Sequence, residues 1–276
     1  MNIKYLGTAA CEGFPAAFCD CEACKKARLL GGRNIRTRSQ AIIDDRLLID
    51  FPPDTYIHSL CNDIELSKIH TCLITHNHED HLYVDELGNR KISFAYPEEG
   101  PLSFYVTNPS YKMIDEFLRE TKMENQNRVK VNLVEFFREI EAEGYGIIPL
   151  KANHDFECDP AIYLIRHNGK SMLYAHDTGV FPEETWAYLQ ENPIRMDLVS
   201  LDCTHGINEK ERDGHMGLST DIEVRQKLIE LGCADEKTKF VINHFSHNGL
   251  ATYDDLLPIA CEQKFIVSYD GMRVEF

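Results

Sequence analysis

Apolar and polar positions form short alternating blocks along this chain, and apolar blocks repeatedly end in histidine, aspartate or cysteine. Residues 2–6 read as a first strand closed by Gly7. Gln40–Ile43 and 47–50 read as a hairpin about Asp44-Asp45. The run 72–74 reads as a buried strand, and 102–107, 144–150, 196–201 and 239–242 as further strands. Asn168-Gly169 supplies the positive φ of a two-residue turn, so 161–166 and Lys170–Ala175 form the clearest hairpin. Helical spacing is strongest over 109–121, where Met113, Ile114, Phe117 and Leu118 share a face. Helices are also predicted over 25–30, 85–95, 182–190, 219–231 and 252–263, with strands at 264–269 and 272–276. Thr220-x-x-Glu223 has the form of a capping box opening the helix over 219–231.

Composition narrows the classes that fit. The chain has 276 residues, 43% of them hydrophobic, enough for a sizeable core. Its formal charge of −16 argues against a broad basic face for nucleic acid, and against anionic membranes. It leaves a small anionic substrate open, because bound metal ions would dominate the local field. Residues 1–6 lack the apolar core of a signal peptide, and no stretch approaches a membrane span. A reducing cytoplasm is therefore expected, where closely spaced members of the ten cysteines suggest metal before disulfide.

The chemistry concentrates at strand ends. His76-Asn77-His78-Glu79-Asp80-His81 packs three imidazoles and an aspartate into six residues, the usual ligand types for zinc, manganese or iron. His76 and His78 can face one ion, and Asp80 and His81 a second. His154 follows another apolar run and reads as a ligand in this company. Asp177 could bridge two ions, with His176 a competitor for that role. His244 and His247, three apart in a turn, could serve two different sites. His215 precedes a helix N-terminus, a place to meet an oxyanion; His205 lacks such context and reads as structural. Asp50 reads equally as a residue orienting a metal-bound histidine or as a turn carboxylate. Arg33, Arg36 and Arg38 read as a solvated turn. Cys19, Cys21 and Cys24 form a C-x-C-x-x-C cluster in the loop 19–24, one ligand short of a tetrahedral zinc; a redox pair or coincidence is the other reading.

Together, Thr75 to His81 resembles the H-x-H-x-D-H signature of the metallo-β-lactamase superfamily. His154, Asp177 and His244 follow in that superfamily's ligand order, and Leu48-Ile49-Asp50 resembles its early aspartate motif. The resemblance runs from the first strand to His247. It implies an α/β fold, a four-layer αββα sandwich, as a single domain over 1–276 with a two-metal site. The cysteine cluster is similar to that of the PhnP-like phosphodiesterase branch, where three such cysteines and a histidine, here His247, hold a structural zinc. PqqB proteins share the cluster but lack an intact histidine motif.

By this resemblance His76, His78 and His154 hold one divalent ion, and Asp80, His81 and His244 the other, with Asp177 between them. The metals are zinc or manganese, or iron. The implied activity is hydrolysis of a small phosphodiester, such as a cyclic nucleotide or cyclic ribose phosphate, by a metal-bridging hydroxide. Asp80 or Asp177 would orient the nucleophile, and His215 would stabilise charge or protonate the leaving alkoxide. The alternative is hydrolysis of a carboxylic ester, thioester or lactone at the same centre. A nucleic acid polymer suits this acidic chain poorly. A homodimer is expected from the family alone, and specificity is expected from the loops 85–100 and 204–218.

Overall fold

The computed structural model of the chain describes residues 1–96, 100–208 and 213–276, so the loops 85–100 and 204–218 lie partly outside the described residues. A first sheet begins with antiparallel β1 (Asn2–Gly7), β2 (Gln40–Ile43) and β3 (Leu47–Ile49). It continues in parallel through β4 (Thr71–Leu73), β5 (Leu102–Val106) and β6 (Val129–Leu133). A second sheet repeats this logic. β7 (Ile140–Ala142), β8 (Tyr145–Lys151), β9 (Ala161–His167) and β10 (Lys170–Ala175) are antiparallel. β11 (Leu198–Asp202), β12 (Lys239–Asn243) and β13 (Ile266–Val267) then follow in parallel. β14 (Arg273–Glu275) returns to pair with β1.

Side-chain alternation explains why these sheets face each other. Ile3, Tyr5, Ile43 and Ile49 from the first sheet pack with Tyr163, Ile165, Tyr174 and Val241 from the second. The opposite face of the first sheet is covered by α3 (Asn108–Glu120) through Ile114 and Leu118. The opposite face of the second is covered by α4 (Glu183–Glu191), α5 (Leu218–Glu230) and α6 (Tyr253–Glu262), which contribute Trp186, Val224, Leu228 and Leu256. Helix layers outside two packed sheets make the αββα sandwich that the sequence led us to expect. Among the described residues no helix is long and apolar enough to cross a membrane.

Several local expectations are corrected. The segment predicted helical over 85–95 is a 3₁₀ helix, Val84–Arg90, followed by turns, and it buries only Leu87. The helix over 219–231 starts at Leu218 with Gly217 as cap, so the Thr220 pattern caps nothing. Thr220 is instead buried in the first turn. A true capping box opens α6, between Thr252 and Asp255. The strand expected over 264–269 shrinks to two residues. Among the α-helices and strands of the described residues, the helix Thr55–Cys61 and the strands β6 and β7 at sheet edges were not anticipated. Of the basic run, Arg36 is not solvated. It is buried, donates to Thr8 Oγ1 at 2.8 Å and to the Ser268 carbonyl at 2.7 Å, and lies over the Phe245 ring.

Candidate active site

The functional side chains gather where strands end. Asp50, Asp177 and His244 follow the C-terminal ends of strands that run parallel to a neighbour, and Asp202 is the last residue of such a strand. Asp50, Asp177 and His244 adopt left-handed φ values of 66°, 54° and 63°. Non-glycine residues at such angles cost on the order of 1–3 kcal/mol each. The conformation turns each side chain sharply out of its strand and over the sheet ends.

Three groups of possible ligands share Asp177: two that match the expected ligand sets, and a third with Asp202, His215 and His244. His76, His78, His154 and Asp177 form the first, and Asp80, His81, Asp177 and His244 the second; within each, all donor atoms lie within 4.8 Å of one another. His76 Nε2 is 2.9 Å from His78 Nδ1, and His154 Nε2 is 3.3 Å from the same atom. Asp177 Oδ2 lies 3.2 Å from both His76 Nε2 and His81 Nε2. His81 Nε2 in turn lies 3.3 Å from Asp80 Oδ2 and from His244 Nε2.

This donor set fits divalent metal. Ligand bonds of about 2.0–2.2 Å in a tetrahedron place donors roughly 3.3–3.6 Å apart, close to the spacings seen. Without an ion the arrangement is electrostatically poor. Burial, helped by neighbouring His81, lowers His76 to about 4, so it is held as a neutral imidazole with a free lone pair. Burial likewise lowers His154. Burial opposes charge on Asp80 and Asp177, yet His81 holds the first carboxyl below its usual range, and His244 with His76 the second. Asp177 Oδ1 is buried and makes no well-aligned hydrogen bond among the described residues, with only the His215 and His154 imidazoles, at 3.1 and 3.5 Å, beside it.

Each histidine is also held from behind, so that one ring nitrogen faces inward. His81 Nδ1 donates to Asp50 Oδ2 at 2.8 Å, while Asp50 Oδ1 accepts from the Thr75 N–H and hydroxyl. That is the orienting contact weighed for Asp50 from sequence. His244 Nδ1 meets Thr204 Oγ1 at 2.8 Å and Asp202 Oδ2 at 3.2 Å. His154 Nδ1 faces the Gly214 carbonyl at 3.2 Å, and His78 Nε2 faces Asp155 at 3.5 Å. Such partners fix tautomer and ring angle, which is how proteins tune metal ligands.

His215 stands beside both clusters. Its Nδ1 is 3.1 Å from Asp177 Oδ1 and 3.4 Å from Asp202 Oδ2. Burial opposes its protonation, but Asp202 and Asp177 outweigh that and raise it to about 9. Asp202 is the residue the sequence reading missed. It is fully buried and accepts from the Thr204, Met216 and Asp177 N–H groups and from the Thr204 hydroxyl. Its one sequence signal was its place at a strand end, shared with Asp50 and Asp177. His205, expected to be structural, lines the same cavity of about 640 Å³, with its ring 5.6 Å from that of His215. His176 turns the other way, into the inter-sheet core. There it bonds Ser200 at 2.7 Å and Asn243 at 3.0 Å, so it does not compete with Asp177.

The cysteines converge as well. Cys19, Cys21, Cys24 and His247 bring their donor atoms within 4.8 Å of one another. His247 Nδ1 is 3.2 Å from Cys19 Sγ and 3.6 Å from Cys21 Sγ. Backbone N–H groups of Cys21, Cys24 and Ala16 donate to the three sulfurs, each at 3.4 Å. Burial opposes ionisation of Cys21, yet the Cys24 N–H and His247 bring it down to about 6. Burial pushes Cys24 up to about 12. A cation is the natural complement to three thiols so placed.

Known structures share this architecture. A diphosphatase from the PhnP family superposes with a TM-score of 0.72 at 21% identity, covering 100% of this chain and 97% of that one. Zinc-bound PqqB from Methylobacterium extorquens gives 0.77 at 19% identity, with both chains covered completely. The short form of human tRNase Z gives 0.68 at 15%, covering 100% of this chain and 99% of that one. A comparison with curated proteins gives no match. The family model described as the β-lactamase superfamily domain matches residues 45–237, from the turn between β2 and β3 to just before β12. That span takes in the histidine motif, His154, Asp177, Asp202 and His215, and with the His/Asp clusters it supports a metal-dependent hydrolase. By that match, over more than half of its length, the chain belongs to the β-lactamase superfamily.

Proposed function

We propose that this chain is a metal-dependent phosphodiesterase that converts a small phosphodiester into a phosphomonoester and an alcohol. His76, His78 and His154 hold one divalent ion and Asp80, His81 and His244 the other, with Asp177 shared. Cys19, Cys21, Cys24 and His247 hold a structural zinc apart from the reaction. Divalent ions held in the two histidine clusters would supply Lewis acidity and make water a better nucleophile.

The observation that carries the reading is the Asp202–His215 pair. A buried carboxylate favours the protonated imidazole and holds its Nδ1 toward the two aspartates. That leaves Nε2–H for the cavity, which His215 lines. A protonated donor at this place matters most when the leaving group is an alkoxide, which departs poorly without a proton. Nε2 gives its proton to the leaving oxygen as the P–O bond breaks, and Asp202 limits the loss of charge stabilisation. Asp80 and Asp177 accept from the attacking water and fix its approach.

The test is hydrolysis of bis(p-nitrophenyl) phosphate and of an alkyl p-nitrophenyl diester by protein loaded with Mn²⁺ or Zn²⁺. His78→Ala serves as the blank. Turnover lost in the blank is the expected result; with its metal content retained, His215→Ala should lose about 100-fold on a 2′,3′-cyclic nucleotide, whose leaving group is an alkoxide, and much less on the p-nitrophenyl diesters. No turnover from fully metallated protein would overturn the phosphodiester reading and favour carboxylic esters, thioesters or lactones.

A further inference from the structure

One wall of the cavity plays no part in the chemistry above. It is built around Glu12, with Ser246 and Asn248 beside it. Glu12 Oε1 is fixed from behind: it accepts from the Ser246 hydroxyl and lies 3.4 Å from His247 Nε2. His247 directs its other nitrogen toward Cys19 and Cys21, so the cysteine cluster and this carboxylate grip one imidazole from opposite sides. Ser246 Oγ also accepts from the Asn248 N–H at 3.1 Å, and the Asn248 carbonyl accepts from Asn208 Nδ2 at 3.2 Å. Gly206 makes this possible, because a Cβ there would sit 2.7 Å from the Gly249 carbonyl oxygen.

Held in this way, Glu12 presents its second oxygen. Among the described residues Oε2 meets only the Cys11 thiol, at 3.3 Å, a weak donor. A carboxylate has about four lone-pair sites, so Oε2 keeps acceptor capacity, and the side chain remains 24% exposed. A fixed anion beside Asp80 and Asp177 repels a second anionic group from this wall and welcomes hydrogen-bond donors. Neighbouring Ser246, Asn208 and Asn248 are polar and uncharged, which suits hydroxyl groups.

We infer that Glu12 is a specificity-determining residue that accepts hydrogen bonds from hydroxyls on the alcohol that stays esterified in the phosphomonoester product. The substrate class is then a phosphodiester of a polyhydroxylated, sugar-like alcohol with no second phosphate on that side. The inference rests on the phosphodiesterase reading, and its test separates the two.

The probes are the p-nitrophenyl diesters of glycerol and 1-propanol, which share a leaving group and differ in hydroxyls, with a 3-phosphopropyl diester added for charge. Calorimetric binding of glycerol 3-phosphate and propyl phosphate gives a readout independent of turnover. Wild type should favour the glycerol compounds about tenfold, in both kcat/KM and Kd, and disfavour the phosphopropyl diester. Glu12→Ala should reduce the glycerol preference to within about twofold and improve use of the phosphopropyl diester. Glu12→Gln, which keeps the size and the contact to Ser246, should fall between and retain all bound metal. Equal binding of the two monoesters by wild type, or an unchanged preference in Glu12→Ala, overturns the inference. So does loss of the cysteine-cluster ion in both variants, because Glu12 would then serve only to support His247. A glycerol preference in binding, abolished in Glu12→Ala but without turnover of any diester, would uphold Glu12 and sink the phosphodiesterase reading instead.

Discussion

Asp221 offers a sharp test of the electrostatics behind the site. It lies in the first turn of α5 and is fully buried, and among the described residues its carboxylate meets no N–H or O–H donor, only the weak Cys203 thiol. Burial pushes its carboxyl well above the ordinary range; the nearby Cys203 thiol offsets this a little, and the charge of Asp202 adds to it. The native state therefore keeps Asp221 protonated at pH values where the unfolded chain, with a pKa of about 3.9, ionises it. Over that window the native state binds the extra proton, so its stability falls as pH rises. The contribution is fully present below pH ~4 and is lost toward the raised native pKa, at about 1.4 kcal/mol per pH unit. Asn is nearly isosteric and does not titrate. Asp221→Asn should thus match wild type near pH 4 and gain on it steadily above, by up to about 3 kcal/mol between pH 5 and pH 7. Urea unfolding at pH 5, 6 and 7 in the presence of chelator measures the gap. The single tryptophan, Trp186, is a suitable reporter because it packs in the same outer core as α5. A gap that stays flat or narrows with rising pH would refute the reasoning, since Asp221 would then be ionised in the native state.

Two further predictions concern the metal clusters. Asp50→Ala removes the acceptor that fixes His81, and should weaken binding of the ion held with Asp80 and His244 by about 10–100-fold. Competition with a chromophoric chelator reads this directly, and wild-type affinity would show that Asp50 does not orient the ligand. Cys24→Ser should remove one metal ion per chain by elemental analysis and lower the melting temperature, because the cluster ties α1 (Glu22–Leu30) to His247. Unchanged stoichiometry would mean that these thiols carry no ion.

What could be read from the chain follows the range over which each feature is encoded. His76 to His81, His154, Asp177 and His244 were legible because each ends an apolar run, and a polar burst there has no role in the core. The sandwich was legible for the same reason, since short strands with alternating burial leave two faces to cover. β6 and β7 were not, because edge strands bury little and carry Lys130, Asn132 and Glu141 among their few residues. Thr220 shows the opposite failure. The capping pattern was present, but Leu218 had already begun the helix from Gly217, so the match was spurious. Arg36 read as solvated because a guanidinium is rarely buried. Here it is partnered by Thr8, the Ser268 carbonyl, the Phe245 ring and the charge of Asp270, and Thr8 lies more than two hundred residues from the other three in the chain.

Asp202 and Glu12 illustrate why a site outruns its motif. Nothing local distinguishes Asp202 from any aspartate that ends a strand. Its function arises from convergence: it receives three backbone N–H groups and aligns His215 and His244, which come from different loops. Glu12 likewise gains its position only from Ser246 and His247, at the far end of the chain. Ligands must present particular donor atoms, so their residue types survive as a readable pattern. The residues that aim those ligands, or select what reaches them, need only a carboxylate in the right place, and many sequence positions can supply one. The metal centre is therefore the part of this protein that its sequence announces, while the choice of substrate depends on contacts that only folding brings together.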